Sequence, residues 1–332
     1  MKLYIVVPCY NEEEVLPETS RRLAEKMNSL IDKGEISGDS RVLFINDGSK
    51  DKTAEIIEEL TKQNNLFGGV FLSRNRGHQN ALLAGYKTAQ DKCDACISMD
   101  ADLQDDINAV DAMIEKYKHG GDVVYGVRSS RATDTAFKRS TAHMFYKCMS
   151  AMGVELVYDH ADYRLLSNRA LQALDEYTEV NVFLRGIVPQ LGFKTGTVEY
   201  ERGERFAGES KYPLKKMLSF AFDGITSFSI KPIRLIAFIG LFIFLCAAVM
   251  LVYSLVRYFM GATVVGWASI MISVWTLGGL QLLAIGVIGE YIGKMYLETK
   301  RRPRFIIDKT IINSSEQEAR SKEQGAVISN EQ

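Results

Sequence analysis

Two uncharged apolar runs near the end of the chain, Leu235 to Val256 and Trp267 to Gly289, constrain its fold more than any other feature. Each is long enough to cross a ~30 Å hydrocarbon core as a helix. Hydrocarbon offers no partner for backbone N–H and C=O groups, so a crossing segment must satisfy them internally. Buried core helices are the competing reading; the length of the runs, their lack of charge and their frequent glycines favour spans. The expectation is two transmembrane helices, at about 235–256 and 267–289, within a hairpin segment 233–293.

Basic residues orient that hairpin. Lys231 and Arg234 precede the first run, and Lys294, Lys300, Arg301, Arg302 and Arg304 follow the second, whereas the connector offers Arg257. The positive-inside rule then puts both termini in the cytosol at the cell membrane. Leu3 to Val7 is too short for a signal peptide and runs into Asn11-Glu12-Glu13-Glu14. Residues 1–212 read as a cytosolic domain, and 213–232 as an interfacial region, since Pro213 to Phe228 mixes Lys215, Lys216 and Asp223 with apolar residues at helical spacing. Residues 294–332 read as a basic segment and a tail, disordered from Asn313.

A formal net charge of -1 argues against a nucleic-acid binder. A cytosolic domain does not keep disulfides, and Cys93-Asp94-Ala95-Cys96 lacks a second pair or a histidine partner, so it reads as structural. His78, His119, His143 and His160 show no metal-ligand spacing and read as surface or packing residues.

The first half alternates two periodicities. Leu3–Val7, Val42–Ile45, Val70–Leu72, Cys96–Met99 and Val123–Tyr125 read as strands, with helices at Glu13–Ile31, Thr53–Gln63, Gln79–Ala89 and Ile107–Tyr117 between them. Repeated strand–helix units predict an α/β fold with a mostly parallel sheet covered on both faces. Ligands of such sheets bind beyond the carboxyl ends of the strands. Pro8-Cys9-Tyr10-Asn11-Glu12, Asn46-Asp47-Gly48-Ser49, Ser73-Arg74-Asn75 and Asp100-Ala101-Asp102 all fall there. Any one could be turn chemistry; four at one edge predict a site. Asp100 and Asp102, one residue apart after a strand, suit a hard cation that also binds substrate phosphates. Beyond residue 134 the rhythm weakens: a helical stretch, Thr135–Met152, leads to Asp159-His160-Ala161-Asp162-Tyr163-Arg164 and a helix from Asn168.

In order and spacing, Pro8-Cys9-Tyr10-Asn11-Glu12-Glu13, Asn46-Asp47-Gly48-Ser49, Leu72-Ser73-Arg74-Asn75 and Asp100-Ala101-Asp102-Leu103-Gln104-Asp105 resemble the family 2 glycosyltransferases of GT-A, Rossmann-like fold. Ala161-Asp162-Tyr163-Arg164-Leu165, Ser210-Lys211-Tyr212 and the hairpin look like the polyprenyl-phosphate members, bactoprenol glucosyltransferases and dolichol-phosphate mannose synthases. Ala161 stands where relatives often carry Gly, and Gly77-His78-Gln79 replaces a common Gly-Lys-Glu that bears on sugar choice.

The resemblance implies an enzyme, a hexosyltransferase. It would move glucose or N-acetylglucosamine, with inversion, from a UDP-linked donor to undecaprenyl phosphate, giving a lipid-linked sugar for the cell envelope. Mg²⁺ or Mn²⁺ would be held by Asp100, Asp102 and Gln104, and the donor by Pro8, Tyr10, Asn11, Glu12, Asp47, Arg74 and Asp100. The acceptor phosphate would meet Arg128, Arg131, Lys138, Arg202 and Lys211, whose cations suit phosphate oxygens. Asp162 is the implied catalytic residue. A phosphate monoester is largely dianionic above ~6, so Asp162 is expected mainly to orient the acceptor through Arg164 or a neighbouring cation. Relatives also imply a homotetramer. A catalytically inactive scaffold or lipid-carrier binding homologue is the alternative, and would be expected to have lost Asp100, Asp102 or Asp162.

Overall fold

The computed structural model describes residues 1–129, 160–180, 182–201, 203, 231–260 and 266–312. The Thr135–Met152 stretch, most of the 202–212 loop, the 213–228 segment and the tail from Asn313 lie outside the described residues. The chain divides into two compact units, one with residues 231–260 and 266–302 and the other with the remaining described residues.

In the larger unit, strands β1 (Leu3–Cys9), β2 (Arg41–Asn46), β3 (Phe67–Leu72), β4 (Ala95–Ser98) and β5 (Val123–Arg128) alternate with helices α1 (Leu16–Asp32), α2 (Thr53–Gln63), α3 (His78–Ala89) and α4 (Ala109–Lys118). Then follow β6 (His160–Ser167), α5 (Asn168–Asp175), α6 (Leu184–Gln190) and β7 (Thr195–Tyr200). A last strand, β8 (Ile307–Ile312), comes from beyond the apolar runs. The sheet order is β7-β5-β6-β4-β1-β2-β3-β8. β6 and β8 are the antiparallel members, and the other strands run one way.

The sequence explains this layering. Every residue of β1 is buried, as expected of a central strand covered on both faces. α1 buries Leu16, Leu23, Met27 and Leu30 at three- and four-residue spacing, so one apolar stripe packs on the sheet. Ser167 ends β6 and caps α5, its Oγ accepting the Ala170 N–H at 3.2 Å.

Two assignments differ from the sequence expectation. The segment from His160 is a full strand inserted between β4 and β5. Its antiparallel direction carries its first residues to the edge where β4 ends, with Arg164 opposite Ser98. Ile307–Ile312, expected as part of a basic segment and tail, instead extends the sheet beside β3. Lys309 pairs there with Glu58 at 2.9 Å. Its short Ile-rich pattern was hidden by the charges before it.

The second unit holds α7 (Lys231–Phe259) and α8 (Trp267–Thr299), which touch each other and run beyond the uncharged segments. Within α8, Thr276–Thr299 is long and apolar enough to cross a membrane by length and composition. Large apolar side chains point outward on both helices: Phe238 is 75% exposed and Leu282 72%. Surface of that kind calls for an apolar environment or a partner.

Candidate active site

Short side chains lace the loops after β1 and β2 together. Asn11, at φ 55°, donates its N–H to Ser49 Oγ (3.1 Å) and accepts the Lys50 N–H at Oδ1 (2.8 Å). The Glu12 N–H donates to Thr53 Oγ1 (2.8 Å). Glu13 exchanges with the same loop, its N–H donating to Asp51 (3.1 Å) and its carboxylate accepting from Lys52 (3.0 Å). Asn11, Glu12, Lys50 and Asp51 line a groove of roughly 430 Å³. Tyr10 is exposed at the loop, whereas Pro8 is buried within β1.

Asp47 is buried, and its two oxygens accept the Arg76 N–H (2.7 Å) and the Gly77 N–H (2.8 Å). Burial pushes its carboxyl above the ordinary value, and these bonds with the nearby His78 and Arg76 charges only partly offset that. Asp47 therefore anchors the loop that carries Arg74, itself exposed. Gly48 is required beside it. It sits at φ +63°, and a Cβ there would lie 2.5 Å from Asn75 N and 2.6 Å from Arg74 C.

After β4, Thr19 Oγ1 donates to Ala101 O at 2.8 Å and ties the acidic loop to α1. Asp102 Oδ1 accepts the Gln104 N–H at 3.2 Å. Leu103 adopts φ 58°, a conformation bulky residues rarely take and one that clusters at functional sites. Gln104 lines a different groove, roughly 600 Å³, with Arg22, Lys26 and Asn108. Among the described residues no group of three or more His, Cys, Asp or Glu is placed to hold a metal. The two carboxylates nonetheless fit a hard cation. Burial raises the Asp100 carboxyl, His78 and Arg185 oppose, and the charges of Asp162 and Asp102 raise it further. Beside it, burial and the Asp100 charge push Asp105 up to about 6, while it accepts the Tyr200 hydroxyl at 2.6 Å. Carboxylate oxygens are the ligands Mg²⁺ prefers, and the Asp102 charge acts on Asp100.

Asp162 sits at the same edge, on β6. Its Oδ1 accepts from Arg164 Nη2, and Arg185 approaches with Nε (3.3 Å to Oδ1) and Nη2 (3.2 Å to Oδ2). His78 Nε2 lies 3.6 Å from Asp162 Oδ2 and 3.7 Å from Asp100 Oδ1. Burial alone would raise the Asp162 carboxyl; Arg185, His78 and Arg164 outweigh it and hold the group well below its usual value. Burial would lower the His78 imidazole, yet Asp162 and Asp100 hold it above the ordinary histidine value.

The structure brings Asp100, Asp162 and His78 together and sets Asp47, Asn11 and Glu12 along the same strand ends. Two expectations are corrected. His78, read from sequence as a surface or packing residue, bridges the two acidic groups. Its place at the start of α3, just beyond the carboxyl end of β3, is the signal that could have found it. Arg164 cannot carry an acceptor for Asp162, because its side chain is 0% exposed; it is a buried brace, with Nη1 donating to Leu184 O at 3.3 Å. Arg185 was missed altogether. Arg128, at the end of β5, acts electrostatically on Asp105 and Tyr200. Arg131, Lys138, Arg202 and Lys211 lie outside the described residues.

A mostly parallel sheet of this order, with acidic groups gathered past its strand ends, places the chain among α/β proteins whose ligand sites lie beyond the carboxyl ends of the strands. The family model described as Glycosyl transferase family 2 matches residues 4–175, β1 through α5. An uncharacterized glycosyltransferase of Bacillus subtilis, YkoT, is 52% identical over 94% of this chain and 92% of its own length. A second from that organism, YkcC, is 43% identical over 92% and 93%. The SfII prophage-derived bactoprenol glucosyl transferase of Shigella flexneri is 41% identical over 93% of this chain and 98% of its own. The chain belongs to glycosyltransferase family 2.

Proposed function

We propose that the protein transfers a hexose, glucose or N-acetylglucosamine, from a UDP-linked donor to undecaprenyl phosphate at the cytosolic face of the membrane. The observation that carries this reading is the 41% identity to a bactoprenol glucosyl transferase across 98% of that relative, the apolar helical region included. The outward apolar surfaces of α7 and α8 support a reading in which both helices cross the membrane as a hairpin, with residues 1–212 and both termini cytosolic and the 213–232 segment at the interface. A homotetramer is the expected assembly.

In the proposed reaction an acceptor phosphate oxygen attacks the anomeric carbon. The bond from that carbon to the β-phosphate oxygen breaks, and the nucleoside diphosphate leaves with the electron pair. Asp100 and Asp102 would hold Mg²⁺ or Mn²⁺, which supplies charge neutralisation for the diphosphate when bound. The Asn11, Glu12 and Tyr10 loop would take the nucleotide, with Pro8 shaping its base and Asp47 acting through the Arg74–Gly77 loop. Arg128, with Arg131, Lys138, Arg202 and Lys211, would draw in the acceptor phosphate. Asp162 stays ionised and orients the cations that meet that phosphate; the dianionic acceptor needs little deprotonation.

Incubating membranes that contain the protein with nucleotide sugars and undecaprenyl phosphate, then identifying the lipid by mass spectrometry, tests this directly. A polyprenyl-phosphate hexose that disappears with EDTA is the expected product. Turnover of no nucleotide sugar would sink the reading.

A further inference from the structure

Arg128 and Tyr200 stand side by side at the edge of the sheet that carries the site. They are register partners on the neighbouring parallel strands β5 and β7. Ser129, the next residue, ties the two strands there: its N–H (2.9 Å) and its Oγ (3.1 Å) both donate to Tyr200 O. The Tyr200 hydroxyl donates to Asp105 Oδ1 at 2.6 Å and accepts from the Arg128 side chain. Arg128, Tyr200 and Asp105 thus form a chain in which each link donates to the next, an order in which every bond polarises its neighbour.

The middle link is rigid. Tyr200 is buried, and its ring packs edge-on to Tyr163 with 5.3 Å between centres. The Tyr163 hydroxyl in turn donates to Asp106 O at 3.0 Å, on the same loop as Asp105. That loop follows β4 and carries Asp100 and Asp102, so the chain links the acidic loop to the end of β5. Stability alone does not account for it. Among the described residues Asp105 Oδ2 and Arg128 Nε are buried without a hydrogen-bond partner. A cluster that served only the fold would pair that carboxylate with that guanidinium directly, because buried polar groups left short of partners are costly. Tyr200 instead stands between them and keeps Arg128 at the strand end, half-buried.

We propose that Tyr200 is a positioning residue: held by Asp105, it aims the Arg128 guanidinium at a substrate phosphate. The inference rests on the transferase reading above, in which Arg128 meets the acceptor monophosphate; the donor diphosphate is the other source of the same chemistry. Full-length wild type, Tyr200→Phe, Arg128→Gln and the double variant are compared for equilibrium binding of a short-chain polyprenyl monophosphate, of UDP with Mg²⁺, and of uridine as a phosphate-free control. Tyr200→Phe keeps the ring and removes the hydroxyl. It should weaken the lipid monophosphate by about three- to tenfold, the order of one hydrogen bond, with uridine unchanged. In the Arg128→Gln background it should cost nothing further, because it acts only through Arg128. An Arg128-dependent loss seen for UDP instead would support the relay and assign its phosphate to the donor. Full affinity of Tyr200→Phe for both phosphates, an equal loss for uridine, or an undiminished loss in the Arg128→Gln background would each overturn the proposal. Where Tyr200→Phe fails to fold, Asp105→Asn decides, because the amide still accepts from the hydroxyl but holds it without charge: reduced affinity for a phosphate ligand, with uridine unchanged, supports the proposal and full affinity overturns it. Absence of turnover in the wild type would count against the transferase reading, while the binding comparison would still judge Tyr200; failure of the wild type to bind either phosphate ligand would overturn both.

Discussion

The turn after β2 and the strand β6 each bring a buried carboxylate to the same edge of the sheet, and they hold it by opposite means. Asp47 is tied by two backbone N–H groups and its carboxyl is pushed upward by burial. Asp162 is surrounded by Arg164, Arg185 and His78, and its carboxyl is held well below the usual range. Backbone donors fix a loop. Side-chain cations arranged around a carboxylate instead keep it ionised. On the proposed function, that difference would make Asp47 part of the scaffold and Asp162 part of the chemistry.

Asp162→Asn should break that division most severely. Turnover is expected to fall about 10²- to 10⁴-fold, the range typical of a positioned acid–base group. A loss that is flat with pH marks orientation through Arg185. Recovery above pH ~6, where the acceptor is already dianionic, marks removal of a residual proton. Near-normal turnover at every pH would place the chemistry elsewhere.

Arg164→Leu comes next, read in stability. Removing one partner of a buried pair typically costs about 3–5 kcal/mol, and α6 loses its tie at Leu184 O as well. Thermal unfolding of the full chain should show the drop, with UDP binding retained at temperatures where the variant is folded. Unchanged stability would mean that Arg185 and His78 suffice for Asp162.

Asp47→Ala is expected to be milder. Two backbone donors lose their acceptor, at about 1–3 kcal/mol for a buried group left unsatisfied. Hydrogen exchange should quicken at the Arg76 and Gly77 amides first. Loss of nucleotide binding with unchanged exchange at those amides would make Asp47 a direct donor contact and erase its contrast with Asp162.

The two regions also differed in how far sequence revealed them. Asp47, Asn11 and Asp100 were legible because each ends a strand in a simple strand–helix alternation, and that local pattern sends them to one edge. The position of His78 beyond β3 was legible, but its pairing with Asp162 was not, since that partner arrives only when β6 inserts between β4 and β5. Arg185 depends on a longer chain of events. α6 must be clamped by Gln79 from α3 and Arg164 from β6, and no spacing within residues 184–190 announces it. β8 escaped for the same reason: its partner is β3, and strand pairing at that separation leaves no local periodicity beyond a short Ile-rich run.

A third carboxylate, at the opposite end of β6, tests the contrast most gently. Asp122 lies just before β5 and accepts from Arg169 Nε (2.6 Å) and Nη2, and from Ser167 Oγ (3.0 Å). Arg169, stacked 4.9 Å from the Phe193 ring centre, is the main cause that lowers the Asp122 carboxyl; burial opposes it and Ser167 assists. A folded value below the unfolded one means that the stability is present above the ordinary carboxylate pKa of ~3.9 and is lost as pH falls through the folded value. The difference in melting temperature between wild type and Asp122→Asn should therefore hold steady from pH ~8 to ~5 and shrink toward pH ~2. It should be small throughout, because Arg169 is solvent-exposed and screened. A gap that widened on acidification would mean that Asp122 is held by backbone and burial, as Asp47 is, and that cation pairing does not set the behaviour of carboxylates on this strand.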